Sequence, residues 1–404
     1  MMESKLENIP YAKPFIGTEE EDAVIAVLRS GWLTTGKETL TFENEFESFL
    51  KTNVSSDTQK IHCMAVNSAT SGLHLALEAL NIGQGDLVLL PSMTFTASAE
   101  VVRYLGAEVV FVDVIKGGGL IDPVCLEKTL ESLIKNNKGK PRAVMPVHLG
   151  GLPCDMDSLL SIAKKYNLYV VEDAAHSFPS LLQDGRWAGI MGDVGVFSFY
   201  ATKTITTGEG GMVVTRDEAL SKRIKIMRSH GIDRSIWDRY TDTKASWFYQ
   251  VVEPGFKYNI PDILSALGRV QLKRAFNLLE MRNEIANRYN QAFSNDRHFT
   301  VPQTGSGDAK HLFTIKLNLD TLSIDRDEFA AKLQEQGIGI SVHFIPLHTM
   351  PYYKNRYSLE DNDFPETMKY FNRIISLPLW PGMTDSQIDR VITVVKTLGQ
   401  NYDK

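Results

Sequence analysis

Short apolar runs alternate with polar turns and amphipathic stretches over the first two thirds of the chain. The runs are IHCMAV from Ile61, DLVLLP from Asp86, EVVFVDV from Glu108, RAVMPVHL from Arg142, LYVVED from Leu168, VGVFSFY from Val194 and GMVVT from Gly211. They are rich in valine and apolar at successive positions, so each predicts a strand buried on both faces. Between them, SGLHLALEALN (Ser71 to Asn81) and MDSLLSIAKKYN (Met156 to Asn167) carry apolar residues at helical spacing. About seven strands alternating with helices predict an α/β fold with a mostly parallel sheet. Near Glu253 the texture changes. A turn and long helices are expected through about Phe293, then short strands (HLFTIKL from His311, IGISVHF from Ile338) and helices (RDEFAAKLQEQG, DSQIDRVITVVKTLG). This predicts a large domain over 1–253, with the N-terminal segment, and a smaller α+β domain over 254–404.

Composition narrows the picture without changing it. The chain has 404 residues, 43% hydrophobic and 23% charged, which suits a globular protein with a large core. No apolar run approaches the roughly 18 residues of a membrane span. The N-terminal stretch MMESKLENIPYAKPF has no apolar core of a secretory signal. A cytoplasmic location is expected. The net charge is −6 and no basic run is present, which argues against a nucleic-acid partner. Cys63, Cys125 and Cys154 are isolated and read as reduced packing residues. His343 and His348 lack an HExxH frame or a cysteine partner, so no metal site is expected.

Chemistry concentrates at strand ends, where open α/β sheets bind ligands. LYVVED ends in Asp173, with His176 three residues on. A carboxylate there is costly unless it meets a cation or a donor. VGVFSFY contains Ser198 and leads to Lys203. IHCMAV leads to Asn67, Ser68, Ala69 and Thr70 at the start of a helix, where free amides and hydroxyls make an anion site. A phosphate cradle, a strand-end carboxylate and a lysine are together what pyridoxal phosphate needs: an anion site, an acid partner for its ring nitrogen, and an amine for its aldehyde. A nicotinamide dehydrogenase is excluded, because NSATSG and not GxGxxG follows the first strand. The glycine run at 117–119 reads as a turn.

EDAAHS followed by FSFYATKTITTGEGGMVVT resembles the DegT/DnrJ/EryC1/StrS sugar aminotransferases. SGWLTTG, VNSATSGLHLAL, PSMTFTAS, PGFKYNIPD, VHFIPLH and SLPLWPGMT match in order, over nearly the whole chain. The resemblance implies a type I pyridoxal-phosphate aminotransferase fold. It implies a homodimer with active sites shared across the interface, and transfer of an amino group from L-glutamate to a keto-sugar linked to a nucleotide. Carried over residue by residue, it makes Lys203 the cofactor-bound catalytic lysine and Asp173 the partner of the ring nitrogen. His176 lies beside the ring and Phe95 stacks on it. Ser68, Ala69, Thr70 and Ser198 bind the phosphate. Relatives read GYNY where this chain reads GFKY, so Lys257 stands where an asparagine reaches the neighbour's phosphate, and Asn259 competes for that role. Trp32, Thr35, His343 and His348 are the expected substrate residues. SATSG, EDAAH, HGIDRSIWDR, PGFKYNIPD and the end of VHFIPLHTMPYY are similar to enzymes that aminate C4 of a UDP-sugar, both those making UDP-4-amino-4-deoxy-L-arabinose and those acting on UDP-4-keto-6-deoxy-N-acetylhexosamines. A regulator of the same fold without turnover, or a sugar dehydratase, stay as alternatives; the retained Lys203 disfavours both.

Overall fold

The computed structural model describes residues 8–52, 60–233, 248–302, 305 and 307–404. Helices α1 (Thr18–Ser30) and α2 (Lys37–Lys51) precede a series of strands and helices. These are β1 (His62–Val66), α3 (Ala69–Ala79), β2 (Asp86–Pro91), α4 (Thr96–Tyr104), β3 (Glu108–Val112), α5 (Pro123–Lys135), β4 (Lys140–Val144), α6 (Met156–Tyr166), β5 (Tyr169–Asp173), β6 (Val194–Ser198), β7 (Gly211–Thr215) and α7 (Glu218–Met227). Then follow α8 (Asp262–Lys273), α9 (Ala275–Phe293), β8 (Phe299–Thr300), β9 (Phe313–Leu317), α10 (Arg326–Glu335), α11 (Pro351–Tyr357), α12 (Pro365–Phe371), β10 (Ile374–Leu377) and α13 (Asp385–Asn401).

The seven expected strands form one sheet in the order β1-β7-β6-β5-β4-β2-β3. Only β7 runs against its neighbours. Both faces are covered, as the unbroken apolar runs required. Met64, Val66, Val88, Val171, Val196 and Val213 pack under α3 and α4. Leu89, Val112, Val144 and Val170 pack under α5 and α6. Along β5 the alternation sends Val171 and Asp173 to the α3/α4 face, and Val170 and Glu172 to the other.

A second sheet, β10-β9-β8, packs with α9, α10 and α13 around Phe293, Phe313, Phe329 and Val395. The strand expected at Ile338 does not form a ladder. Ile338 and Ser341 make single bridges, to Ile9 and Ser376, because the following backbone turns away into a short helical turn at Leu347–Thr349. β10, which runs into the first two residues of SLPLWPGMT, fills the sheet instead.

Packing crosses residue 253 at both ends of the chain. Ile9 sits in the C-terminal cluster, and the Trp380 indole donates to the Pro10 carbonyl at 3.0 Å. Conversely, α8 packs on α1 and α2, and Leu272, Ala275 and Leu278 join the cluster of Phe42 and Phe46. Among the described residues, no helix is long and apolar enough to cross a membrane.

Candidate active site

Sheet register builds the floor of the site. β1 and β6 flank β7, and Val66, Gly211 and Ser198 are aligned across the three strands. The chain leaves β1 through Asn67 and enters α3, where the Ser68 hydroxyl caps the Ser71 amide at 3.1 Å. A Cβ on Gly211 would fall 2.9 Å from the Ala69 amide nitrogen. Glycine therefore lets the helix start lie directly on the strand, beside Ser198. Ser68, Ala69 and Thr70 are all half-buried, and Ser198 is buried. Open amides, hydroxyls and the positive end of α3 together suit a phosphate.

Asp173 ends β5 on the same face, paired with Val196. It is 5% exposed. The Ser98 hydroxyl donates to Oδ2 at 2.7 Å and the Ala175 amide to Oδ1 at 3.1 Å. Burial outweighs these donors and the nearby Lys203 charge, so its pKa lies above the usual carboxylate range. Such a carboxylate suits a cationic N–H partner.

Lys203 sits in the tight turn after β6, its amide bonded to the Tyr200 carbonyl at 2.9 Å. Burial, opposed by Asp173 and reinforced by Arg282, pushes its amine down to about 7. An amine with that pKa is substantially neutral near neutral pH, as a nucleophile and proton shuttle requires. His176 is buried, with its Nδ1 accepting the Gly150 amide at 3.2 Å, which puts the ring proton on Nε2. Burial and the Lys203 charge hold His176 far below its ordinary pKa. Its ring centroid is 4.4 Å from His311 and 5.7 Å from Phe344. Phe95 precedes α4, is 55% exposed and touches Phe344 at 5.7 Å between centroids, which leaves ring surface open for stacking.

The remaining expected residues divide. His343 joins the wall: its Nδ1 shares a hydrogen bond with the Ser376 hydroxyl at 2.9 Å, and its ring lies 6.4 Å from His176. Burial, then Lys203, pushes its pKa down to about 4. His348 does not join it. It is 0% exposed, bonded to the Ser92 hydroxyl at 2.5 Å and stacked on Phe364 at 4.3 Å. The expectation that it contacts substrate is corrected: the turn at Leu347–Thr349 points it into the core.

Thr35 and Asn259 meet, the Asn259 amide donating to the Thr35 hydroxyl at 2.6 Å. The Lys257 ammonium is exposed and donates to the Asn259 side-chain carbonyl at 2.7 Å. Asn259 thus has both its polar ends engaged, while Lys257 keeps donors to spare. Trp32 is half-buried and lies so close to Gly36 that a Cβ there would fall 2.1 Å from its indole nitrogen. Asp262 of PGFKYNIPD caps α2, accepting the Gly36 and Thr39 amides at 2.7 and 3.0 Å. That cap ties the Trp32 loop to the Lys257 loop. Residues 234–239 of HGIDRSIWDR lie outside the described residues.

Sequence reasoning overlooked Ser98, His311, Arg282 and Asp262. Ser98 lies within PSMTFTAS, and a hydroxyl one helical turn after Thr94 was the available signal. The other three come from distant segments and carry no local signature.

Comparison with known proteins agrees with this geometry. A model of the DegT/DnrJ/EryC1/StrS aminotransferase family matches residues 14–396. The chain is 39% identical over 406 residues to the spore coat polysaccharide biosynthesis protein SpsC of Bacillus subtilis, covering 100% of both. Its fold is similar to that of Spr1654 from Streptococcus pneumoniae in its pyridoxal-phosphate form, with a TM-score of 0.85 and 30% identity over 98% of this chain and 99% of that one. It is also similar to PseC of Helicobacter pylori, an aminotransferase involved in the biosynthesis of pseudoaminic acid, with a TM-score of 0.86 and 28% identity over 98% and 100% of the two chains.

Proposed function

The chain belongs to the DegT/DnrJ/EryC1/StrS aminotransferase family, and from that premise we propose that it moves an amino group from L-glutamate to C4 of a UDP-linked keto-sugar. It has the type I aminotransferase fold and is a pyridoxal-phosphate-dependent aminotransferase acting on a sugar substrate. The donor, the carbon and the nucleotide are our reading, supported by the motif resemblance. The observation that carries the chemistry is the meeting of Asp173, the Lys203 turn, Ser198 and the start of α3 at one end of the sheet.

The residues present fit the cofactor. The close approach at Gly211 makes a cradle that any side chain would fill, and Asp173 carries a buried carboxylate with two donors among the described residues. Ser198, Thr70, the Ala69 amide and the Ser68 region would hold its phosphate, with Lys257 or Asn259 reaching from the neighbouring subunit of a homodimer. Phe95 would cover one ring face, and His176 would lie beside the ring. Bound there, pyridoxal phosphate supplies an electron sink for loss of the donor's α-proton. Lys203 would hold the cofactor through its aldehyde carbon and, as a free amine, would move the proton between the donor's α-carbon and that carbon. Asp173, as a carboxylate, would pair with the cofactor's ring N–H. Trp32, Thr35 and His343 face the acceptor sugar. Exposed Ile25, Leu28, Leu33 and Leu40 on and between α1 and α2 support burial of this region between two subunits.

The test is a single-turnover experiment. The protein is loaded with glutamate, freed of excess donor, and offered keto-sugars one at a time. Return of the original visible spectrum with a UDP-4-keto-sugar is the expected result. Return only with simple keto acids would assign the protein to amino-acid metabolism.

A further inference from the structure

Arg282, on α9, is 2% exposed. Among the described residues no carboxylate lies within ion-pair distance of it, and its Nε has no hydrogen-bond partner. Its terminal nitrogens instead donate to four backbone carbonyls: Leu379 at 3.0 Å, Lys310 at 3.4 Å, His311 at 3.5 Å and Lys203 at 3.5 Å. A buried guanidinium costs several kcal/mol of desolvation and is ordinarily matched with an anion. A clamp between chain segments could be made by a neutral side chain at lower cost, so the retained charge calls for a role of its own.

The charges around Lys203 identify that role. Asp173 faces it from the end of β5, His176 from the loop that follows, and His311 and His343 from two further segments. The imidazoles are kept neutral by burial and by the cations beside them. Tyr11, from the N-terminal segment, faces Arg282, and burial keeps its phenol protonated. One carboxylate therefore stands against two potential cations, Lys203 and Arg282.

We propose that Arg282 is a positioning residue for Lys203: it fixes the carbonyl of the lysine turn against the wall at residues 310–311 and Leu379, and its uncompensated charge disfavours a second cation on the neighbouring amine. The inference rests on the reading that Lys203 carries the chemistry. It explains why a fixed cation is kept where a carbonyl-binding neutral group would suffice.

The test follows the lysine amine without turnover. The full-length protein, freed of cofactor, is trace-labelled with acetic anhydride across pH 5 to 11, roughly the range spanning neutral and ordinary lysines. Peptide mass spectrometry then gives the labelling midpoint of Lys203, with exposed Lys273 as internal reference. In the native protein the midpoint should lie near 7. Arg282→Gln should raise it by about one unit or more, roughly tenfold in proton affinity. Arg282→Lys, which keeps the charge and loses the fork, should stay within about half a unit. An unmoved midpoint in a folded Arg282→Gln protein overturns the proposal, and so does an equal shift in both variants, which is the mark of a merely structural clamp. If Arg282→Gln does not fold, Tyr11→Glu gives the guanidinium the anion it lacks. A midpoint raised by about half a unit then supports the proposal, and an unmoved one overturns it. Because no cofactor or sugar is present, this outcome is independent of the glutamate experiment that tests the function.

Discussion

Two carboxylates stand side by side at the end of β5 and have opposite fates. Glu172 points to one face of the sheet and is 0% exposed. His148 Nε2–H donates to it at 2.9 Å, and the amides of Gly189, Met191 and Gly192 donate at 2.7, 2.6 and 2.7 Å. The Cys154 amide donates to His148 Nδ1 at 3.1 Å, which fixes the tautomer that serves Glu172. Burial pushes Glu172 up, but His148 and the amides win and hold it below its ordinary pKa. Asp173, on the other face, has two donors, and burial wins. Equal burial thus yields a finished anchor on one side and an unfinished one on the other. Full satisfaction is what structure needs; a carboxylate left short of donors is one that can still serve a ligand.

The largest effect should separate the two by activity. Asp173→Asn removes the charge meant for the ring N–H. The amino-transfer rate should fall by about 100-fold or more, roughly 2.7 kcal/mol of barrier. The folded state should lose almost nothing, since the charge it removes is held at a cost. Single-turnover rates and urea titrations of the same preparation decide this. A large loss of stability with a small loss of rate would reverse the assigned roles.

Glu172→Gln should do the opposite. The amide keeps one acceptor oxygen and turns an NH₂ toward two of the four donors, either Gly189 and His148 or Met191 and Gly192. A loss of about 3 kcal/mol is expected, the order seen when one partner of a buried charged network is removed. The rate per folded molecule should fall far less than in Asp173→Asn. Equilibrium unfolding would show it, and a stability change under about 1 kcal/mol would mean the network is not the anchor described.

Proton linkage sharpens the same contrast with a smaller signal. Asp173 has a raised folded pKa in the cofactor-free chain, so it binds protons more tightly folded than unfolded. Its contribution is fully favourable below its unfolded value, about 3.9, and is lost as pH rises through the folded value. Glu172 has a lowered folded pKa. Its contribution is present above about 4.3 and lost as pH falls through the folded value. The stability gap between wild type and Glu172→Gln should therefore close on acidification. Asp173→Asn should gain on wild type as pH rises above about 4. Identical pH slopes in the three proteins would contradict the assignment.

Much of this site was legible because strand ends are local. A valine run that stops at a carboxylate, a run that leads to a lysine, and a run followed by Asn-Ser-Ala-Thr are each visible in a few residues. What was illegible depends on where remote segments land. Asp262 caps a helix 226 positions upstream, and Arg282 reaches a carbonyl 79 positions away. His348 reads like His343 in VHFIPLH, and only the fold reveals Phe364 beneath it. The Ile338 run is apolar enough for a strand, yet it makes single bridges, to Ile9 of the N-terminal segment and to Ser376 of β10, before the backbone turns away.

The subtlest expected effect concerns the donors of Asp173. The Ser98 hydroxyl is its shorter hydrogen bond, and it is oriented in turn by Thr94, whose hydroxyl lies 2.8 Å away. Ser98→Ala removes that donor and leaves the Ala175 amide to oppose burial. One such bond to a charged group has a net worth of about 1.5 kcal/mol, on the order of one pKa unit. The Asp173 pKa should move further up, so less of it is ionised at any given pH. The rate loss should be slight at pH 8 and grow as pH falls, because the acidic limb of the pH–rate profile moves toward neutrality by about one unit. Ser98→Thr, which keeps a hydroxyl, should restore most of the limb. A uniform loss across all pH values would instead mean that Ser98 matters for the packing of α4 and not for the charge of Asp173. An unchanged profile would mean that the carboxylate's state is set by burial and the ring N–H alone.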